Sequence, residues 1–336
     1  MTGLAYVVVL NWNGLSYVRD CLKAILAQTY PAYRVLVVDN ASTDGSRDIV
    51  RSEFPEAALL PLPDNLHFAR GTNEGVRAAL RDPACEFVAT LNNDTRADPE
   101  WLAAMVRSVT DGVGSVASKM LFMDRPKTLN STGVLIARDG SAMDRGWNEP
   151  DQGQYDGRTD VFGPSAGAAL YRRGLLEQVG LFDEDFVAYY EDVDLAWRAR
   201  LVGWDSRFAP RSLVYHKWSG SAGHRSSWRI FQCERNRVWN LVQNYPWRYV
   251  TTGASWNAAH VLASLWVRSS DGDSPSNEER IATIAHVHVR ARLAAYAGLE
   301  RALAKRRLRQ SNRRVSPATI GLWLRRYGRS VGWTRS

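Results

Sequence analysis

Cysteine is scarce in this sequence, with only Cys21, Cys85 and Cys233 among 336 residues, and no two of them form a C-x-x-C pair. This excludes a cysteine zinc site and a disulfide framework, and it favours a reducing compartment. A basic segment before the first apolar run is also missing, as is a small-residue cleavage site, so we interpret residues 5–10 as a first strand rather than a signal peptide.

No apolar run is long enough and free enough of polar residues to predict a transmembrane helix. The most apolar stretch of the C-terminal part, Tyr249 to Val267, contains Thr251, Thr252, Asn257 and His260. We therefore expect a buried or interfacial helix there instead.

Acidic residues are rare after residue 225. Residues 226–336 carry 19 Lys and Arg against 6 Asp and Glu, whereas residues 1–225 carry 24 against 29. The basic part predicts a polyanionic partner, such as membrane headgroups, nucleic acid or phosphorylated lipid. Solvated helix faces remain the alternative.

The overall balance of 45% hydrophobic and 23% charged residues is typical of a globular protein. The length exceeds one ordinary core, and the charge division predicts a catalytic domain over 1–225 and a basic, Trp-rich helical extension over 226–336. Within the first domain we expect a nucleotide half over about 1–100 and an acceptor half over about 101–225.

Apolar runs and helical periodicities alternate along the first hundred residues, which predicts an α/β fold with a mostly parallel sheet flanked by helices. The predicted strands are 7–10, 35–38 and 87–91, and the predicted helices are 17–28, 46–54 and 71–81. From about 112 to 165 the pattern indicates loops with short strands such as Val134–Ile136. Helices are predicted again over 175–179 and 192–201.

Polar clusters follow the predicted strands, where parallel sheets bind ligands. Asn11 to Gly14 follows the first strand and Asp39 ends the second, where it either accepts from a nucleoside or caps a turn. The segment Asn65 to Gly75 has glycines at a predicted helix start, a pattern similar to a phosphate cradle, with Arg70 to neutralise charge.

Two further clusters carry oxygen and nitrogen ligands. Asn92-Asn93-Asp94 follows the strand 87–91, and its spacing suits one Mg²⁺ or Mn²⁺ ion; a polar turn is the alternative. Glu191, Asp192 and Asp194 open a helix, either as complements to the helix dipole or, for Asp192, as a base for an acceptor hydroxyl. His216 follows a short apolar strand and is by itself more often structural.

In this order and spacing the motifs resemble family 2 glycosyltransferases, inverting enzymes with the GT-A fold, and within them the rhamnosyltransferase-like branch that builds bacterial surface polysaccharides. The resemblance spans about residues 5–220 and rests on these segments: 7–14, 37–46, 65–75, 91–95, 163–170, 180–186, 190–198 and His216.

The resemblance implies a role for each matching position. Asp192 is the catalytic base within the Glu191-Asp192 pair. Asp94 and His216 bind the divalent cation, Mn²⁺ or Mg²⁺, with Asn92 where the family commonly has Asp. The implied donor-binding residues are Asn11, Asn13, Asp39, Asn65, Phe68, Arg70, Gly71, Asn73, Asn92 and Asn93. Gly167, Ala168 and Asp194 fall on the acceptor side.

The implied reaction moves a sugar from a nucleotide-sugar donor, of the dTDP-rhamnose or UDP-hexose type, to a hydroxyl of a glycan or lipid-linked acceptor. For the basic extension we expect peripheral attachment to an anionic membrane, on the inner face of the cytoplasmic membrane; packing on the catalytic domain or on a second subunit is the alternative. We expect no nucleic-acid partner.

Two other functions fit parts of the sequence. A sugar nucleotidyltransferase also needs a nucleotide-binding sheet and a metal carboxylate, but it commonly has a Gly-rich basic signature where this chain has Asn11 to Gly14. A non-catalytic nucleic-acid-binding protein explains the basic extension, but not Asp94, Asp192 and His216.

Overall fold

The structure, a computed structural model, describes residues 3–217, 226–253 and 275–328. The chain forms two compact units. The first comprises Met1–Leu135 and Met143–Ser221, and the second comprises Ile136–Ala142 and Ala222–Ser336.

The first unit is built on a ten-stranded sheet flanked by helices. Its strands, with the separate two-stranded sheet β8–β9, are β1 (Leu4–Asn11), β2 (Tyr33–Asp39), β3 (Ala58–Pro61), β4 (Cys85–Asn92), β5 (Thr95–Ala97), β6 (Val113–Phe122), β7 (Leu129–Ser131), β8 (Val134–Ile136), β9 (Ala142–Asp144), β10 (Asp160–Val161), β11 (Ala168–Arg172) and β12 (Asp205–His216). Its α-helices are α1 (Val18–Leu26), α2 (Ser46–Glu53), α3 (His67–Leu80), α4 (Trp101–Arg107), α5 (Arg173–Val179) and α6 (Glu191–Leu201).

The sheet is mixed: β1, β2, β3, β4, β6 and β12 run in one direction, as expected for a mostly parallel sheet, whereas β5, β7, β10 and β11 run in the other. Its main path runs β10-β12-β6-β11-β4-β1-β2-β3, and β11 lies antiparallel between β4 and β6. The register pairs Asn11 with Asp39 and Leu10 with Asn92, so the carboxyl ends of β1, β2 and β4 meet at one edge. The three strands predicted within the first hundred residues are therefore confirmed, as β1, β2 and β4.

Two cores cover the faces of the sheet. Val7 and Val9 belong to one core and Val8 to the other, because successive side chains of a strand point to opposite faces. Apolar residues therefore occupy consecutive positions in β1. This explains why the sequence shows an unbroken apolar run without alternation.

The prediction of loops between about 112 and 165 was wrong in its first part. Strand β6 has ten residues, all of them buried, and it pairs with β12 and β11. Its polar residues find partners inside the protein: Ser115 bonds Ser206 at 2.8 Å, and Ser118 accepts from Trp101 Nε1 at 2.8 Å. These buried hydroxyl groups break the apolar run by which a buried strand is recognised in a sequence.

Helix α3 begins at His67, four residues before the predicted start at Gly71. Gly71 and Gly75 therefore lie inside the helix, and a Cβ at Gly75 would overlap the side chains of Val8 and Val38. These glycines let the helix pack closely on the sheet. The phosphate contact predicted for this segment stays a prediction.

The second unit is helical in the described part. Its helices are Ser227–Asn244, Pro275–Ala297, Leu299–Ser311 and Pro317–Arg326. Val238, Val242, Ala295 and Ala302 form its buried cluster. Arg306 is buried and donates to the carbonyl groups of Val242 and Tyr245 at 2.6 Å, so this cation caps a helix end.

Among the described helices, none combines the length and apolarity that crossing a bilayer requires. Most of the stretch Tyr249 to Val267 lies outside the described residues, so the interfacial helix expected there stays a prediction.

Candidate active site

Three strand ends are tied into one buried network. Asn11 and Asp39 are fully buried, and Asn11 Nδ2 donates to Asp39 Oδ1 at 3.1 Å and to Ser46 Oγ at 2.9 Å. Asn93 Nδ2 donates to Asn11 Oδ1 at 2.8 Å, which connects β4 to the network. A Cβ at Gly14 would overlap both amides, so the turn after β1 needs glycine there.

The buried charge of Asp39 is compensated by Arg47. Arg47 Nε donates to Asp39 Oδ2 at 2.7 Å, while the Arg47 side chain keeps one third of its surface exposed. The ion pair thus reaches from the buried strand end to the protein surface. In the same loop, Asn13 Oδ1 accepts from Thr43 N–H at 2.9 Å. Arg47 was missed in the sequence, although it stands eight residues after Asp39 at the start of α2.

Trp12 is exposed directly between Asn11 and Asn13, with 40% of its surface accessible. An exposed indole beside buried polar groups offers a flat face on which a nucleobase can stack. No role was predicted for Trp12 from the sequence.

Asn40 organises the segment that leads into α3. Its Oδ1 accepts from Leu66 N–H at 2.8 Å, and its Nδ2 donates to Asn65 Oδ1 at 2.8 Å. Asn65 Oδ1 also accepts from the N–H of His67, a residue with positive φ. Two asparagines therefore fix the helix start beside the strand ends, and Asn40 is a second residue missed in the sequence.

Three of the predicted donor residues on α3 have other partners in the structure. Asn73 is buried and bonds the backbone N–H and C=O of Phe182 at 3.1 and 2.9 Å. Arg70 is exposed and lies 3.7 Å from Glu184, and the ring of Phe68 lies 6.3 Å from that of Phe182. These contacts hold residues 182–184 against α3.

Asp94 and His216 meet at the carboxyl end of the sheet. His216 Nε2 lies 3.2 Å from Asp94 Oδ1, and both side chains are more than nine-tenths buried. The pairing of β12 with β5, which sets His216 opposite Thr95, brings these distant residues together. Asn92 Nδ2 lies 3.5 Å from the same His216 nitrogen.

This group fits a divalent cation such as Mn²⁺. A carboxylate oxygen and an imidazole nitrogen face each other, and each can donate a lone pair to one metal ion. Within the described residues, no three His, Cys, Asp or Glu side chains form a metal-binding group. A cation bound here would take two protein ligands, Asp94 and His216, and substrate oxygens or water would have to fill its remaining positions.

The segment 166–168 joins the two halves of the site. Asn92 N–H donates to Gly167 C=O at 3.0 Å, and Ala168 pairs with Leu91 in the sheet. On the other side, the backbone N–H of Ala166 donates to Asp192 Oδ2 at 3.0 Å. Two consecutive residues thus connect the metal-ligand group with the carboxylate of Asp192.

Glu191 and Asp192 differ in the hydrogen bonds that their carboxyl groups accept. Asp192 accepts backbone N–H bonds from Ala166 at 3.0 Å and Val193 at 2.7 Å, which favour its ionised form. Glu191 is buried, and its Oε2 has no hydrogen-bond partner among the described residues. Burial raises the pKa of Asp192, and burial together with the charge of Asp192 raises the pKa of Glu191 well above its usual range. These hydrogen bonds favour Asp192 as the carboxylate of the pair and Glu191 as its neutral partner.

The backbone before these carboxyl groups is strained. Val187, Tyr189 and Tyr190 all have positive φ, and for a β-branched residue such as Val187 that conformation is costly. The carbonyl of Val187 accepts from Ala69 N–H at 2.9 Å, which holds the turn against α3. Strain of this kind persists where surrounding contacts fix a functional segment.

Asp194, predicted on the acceptor side, is fully buried. It accepts from Arg198 Nε at 2.8 Å, and Arg198 also donates to the carbonyl groups of Val179 and Leu181. The pair fixes α6 to the end of α5. The structure thus gives Asp194 a supporting place in the same helical turn as Glu191 and Asp192.

Comparison with known proteins identifies the family. The sequence pattern of Glycosyl transferase family 2 matches residues 6–180, which is more than half of the chain. The N-acetylglucosaminyl-diphospho-decaprenol L-rhamnosyltransferase of Mycobacterium tuberculosis is 26% identical over 306 residues, covering 80% of this chain and 96% of the relative. A poly-β-1,6-N-acetyl-D-glucosamine synthase of Staphylococcus epidermidis is 22% identical, covering 61% of this chain and 47% of the relative.

Solved glycosyltransferases share the fold. The Pyrobaculum calidifontis mannosyltransferase PcManGT, solved with GDP-Man and Mn²⁺, aligns with a TM-score of 0.50 at 20% identity, covering 95% of this chain and 79% of that one. GalNAc-T7, solved with UDP, GalNAc and Mn²⁺, aligns at 0.55 and 13% identity, covering 72% and 48%. The resemblance inferred from the motifs is confirmed: the chain belongs to glycosyl transferase family 2 and has the GT-A fold.

Proposed function

We propose that this protein transfers a sugar, with inversion, from a nucleoside-diphosphate donor to a hydroxyl of a lipid-linked or glycan acceptor in surface-polysaccharide synthesis. The observation that carries the proposal is the segment Ala166–Gly167, whose backbone connects Asp192 with the Asn92 end of β4. The proposed base at the start of α6 is thereby linked, through the residues that lead into β11, to the end of β4 beside the proposed metal ligands.

The nucleoside would bind the strand-end network. Asn11, Asp39 and Asn13 supply hydrogen-bonding groups there, Arg47 supplies a cation that is one third exposed, and Trp12 supplies a stacking surface. A divalent cation held by Asp94 and His216 would neutralise charge on the departing diphosphate. Both ligands are buried, so the field of the cation would be weakly screened by water.

Asp192 would act as the base. It takes the proton of the acceptor hydroxyl while that oxygen bonds to the anomeric carbon and the bond from this carbon to the diphosphate oxygen breaks. Glu191 remains protonated beside it, because ionising this buried carboxyl group next to the charge of Asp192 would be costly. One displacement at the anomeric carbon inverts its configuration.

The acceptor class is drawn from the M. tuberculosis relative, whose name specifies a lipid diphosphate and a rhamnosyl group. The alignment covers most of both chains, so we propose a lipid-diphosphate-linked sugar as acceptor and dTDP-rhamnose as the first donor to test. The test measures nucleoside diphosphate released from dTDP-rhamnose, UDP-glucose, UDP-GlcNAc and GDP-mannose with Mn²⁺ present. Turnover of one donor, lost in Asp94→Ala, supports the proposal; no turnover of any donor contradicts it.

An anionic membrane is the proposed partner of the second unit. Val289, Leu293 and Tyr296 follow each other at helical spacing and are 46%, 63% and 58% exposed. Residues 285–328 contain eleven Lys and Arg against one acidic residue, Glu300. A second copy of so basic a surface would be repelled, whereas anionic lipid headgroups would be attracted, each nearby cation adding about 1 kcal/mol.

Sedimentation with vesicles tests this partner. Vesicles of phosphatidylglycerol with phosphatidylcholine should bind the protein at low salt, and pure phosphatidylcholine should bind it weakly. The Leu293→Ser/Tyr296→Ser variant should bind less, while the matched variant Leu15→Ser, at an exposed leucine of the first unit, should not differ from wild type. Equal weak binding to both vesicle types would contradict the membrane partner, as would a concentration-dependent dimer lost in Leu293→Ser/Tyr296→Ser.

A further inference from the structure

The two ring nitrogens of His216 face different partners. Nε2 faces Asp94 Oδ1 at 3.2 Å, and Nδ1 lies 2.9 Å from Oδ1 of Asn130. His216 is 7% and Asn130 3% exposed, so water competes little for either contact. On the side of the ring that faces away from Asp94, the buried amide of Asn130 therefore fixes the orientation of the imidazole.

Asn130 is held in place by the sheet. It is the middle residue of β7, whose neighbours Leu129 and Ser131 pair with Leu121 and Met120 of β6. His216 pairs with the next residue of β6, Phe122. The amide and the imidazole therefore project from strands that flank the same segment of β6, and their relative position depends on backbone pairing rather than on a loop.

The other half of the Asn130 amide supports a role directed at His216. Asn130 Nδ2 is buried and has no hydrogen-bond partner among the described residues. An unsatisfied buried donor destabilises the fold, so packing alone would favour an apolar side chain at this position. The described contact that offsets this cost is the one between Oδ1 and the imidazole.

An amide oxygen can only accept, so this contact requires a proton on Nδ1, and in the neutral imidazole the lone pair of Nε2 then points towards Asp94. Histidines that bind metals commonly donate their second N–H to an oxygen in this way, which fixes the ring and strengthens the ligand. We propose that Asn130 is a positioning residue of the metal site: it accepts Nδ1–H of His216 and thereby presents Nε2 to the cation shared with Asp94. This inference rests on the metal site of the proposed function.

The opposite arrangement is chemically distinct. If the amide were turned round, Nδ2 would donate to Nδ1, and Nε2 would carry the proton and donate to Asp94. That imidazole could not bind a metal through Nε2. Asn130→Asp keeps an acceptor oxygen and cannot adopt the turned arrangement, whereas Asn130→Leu removes both, so the two variants separate positioning from packing.

The test titrates the full-length protein with Mn²⁺ alone and follows free Mn²⁺ by electron paramagnetic resonance. Asn130→Leu should weaken Mn²⁺ binding by about 10- to 100-fold, and Asn130→Asp should bind at least as tightly as wild type. Asn130→Ala replaces the Leu variant if that variant does not fold, and melting temperatures are recorded for all variants. Unchanged affinity in Asn130→Leu, or equal losses in the Leu and Asp variants, overturns the inference.

A nuclear magnetic resonance readout examines the hydrogen bond itself. In ¹⁵N-histidine protein loaded with diamagnetic Cd²⁺, the Nδ1–H of His216 should be visible and protected from solvent exchange, and Asn130→Leu should lose this protection. A proton on Nε2 in the loaded wild-type protein would overturn the inference. His216→Gln identifies the resonance and tests the site independently: Mn²⁺ binding unaffected by that change, or absent in wild type, would contradict the proposed metal site rather than the role of Asn130.

Discussion

The carboxylate of Asp192 is hydrogen-bonded to the main chain of Ala166: the backbone N–H of Ala166 donates to Asp192 Oδ2 at 3.0 Å. Replacing Asp192 with Asn preserves the size of the side chain but removes its ability to take a proton. We expect Asp192→Asn to lower kcat by about a hundredfold or more with donor binding retained. Steady-state kinetics and donor titration measure the two effects.

Glu191→Gln is the matched control for that variant, since it changes the adjacent, neutral carboxyl group. It should retain most of the kcat of the wild type. If Glu191→Gln lost activity and Asp192→Asn retained it, the roles of the two residues would be exchanged.

The pH dependence of kcat should show the raised pKa of Asp192. Burial is the main cause of the shift, and a base works only when ionised, so activity should fall as the pH drops through this raised pKa. An ordinary aspartate has a pKa of about 4. The acid limb of the pH–rate profile should therefore lie at a higher pH than that. A pH–rate profile with Mn²⁺ saturation checked at each pH measures it. A profile flat down to pH 4 would contradict the assignment.

Glu191→Gln should also change how stability depends on pH. Because the folded pKa of Glu191 is raised, its contribution to stability is fully present below its unfolded pKa and is lost as the pH rises towards the folded pKa. The glutamine has no proton to lose. The melting temperature of the variant relative to wild type should therefore increase between pH 5 and pH 8, and a constant difference would argue against a neutral Glu191.

Arg198→Met tests the supporting role of the Asp194 pair. The change leaves a fully buried carboxylate without its cation, and we expect a loss of about 3 kcal/mol or more in the free energy of unfolding. The control is Arg77→Met, which breaks the half-exposed pair with Glu184 at 2.5 Å and should cost about 1 kcal/mol or less. Chemical denaturation compares them, and equal losses would contradict the distinction.

The sequence predicted the strands that end in the site but not all of the residues that complete it. Strands β1, β2 and β4 are visible because both faces of the sheet are covered and their apolar runs are unbroken. Strand β6 was missed because Ser115, Ser118 and Lys119 are buried with partners elsewhere in the chain. Such long-range pairing leaves no local pattern.

The carboxyl groups at 191–194 show a second limit. From their spacing in the sequence, Glu191, Asp192 and Asp194 are expected in one acidic helical turn, and the spacing does not predict how their surroundings differ. The structure separates them through their partners: backbone N–H groups for Asp192, none for Glu191 Oε2 among the described residues, and Arg198 for Asp194. Asn130 has no sequence signal at all, because its role depends on a contact with His216 across the sheet.

Asn92→Asp would place a carboxylate where this chain has an amide. The new charge would lie beside Asp94 and the Nε2 of His216, which should tighten Mn²⁺ binding through added attraction. Mn²⁺ titration of this variant and of Asn148→Asp, a surface control, measures the difference. An affinity that rises equally in both would show that the effect does not come from the metal site.

The anomeric configuration of the first product tests the central claim most directly. One active donor, identified by nucleoside diphosphate release, is incubated with Mn²⁺ and an acceptor or water, and the anomeric proton of the new product is observed by nuclear magnetic resonance before mutarotation. We predict that the anomeric carbon of the product has the configuration opposite to that of the donor, and that Asp192→Asn forms no product in the same time. Retention of configuration, or undiminished product from Asp192→Asn, would contradict a single displacement with Asp192 as the base.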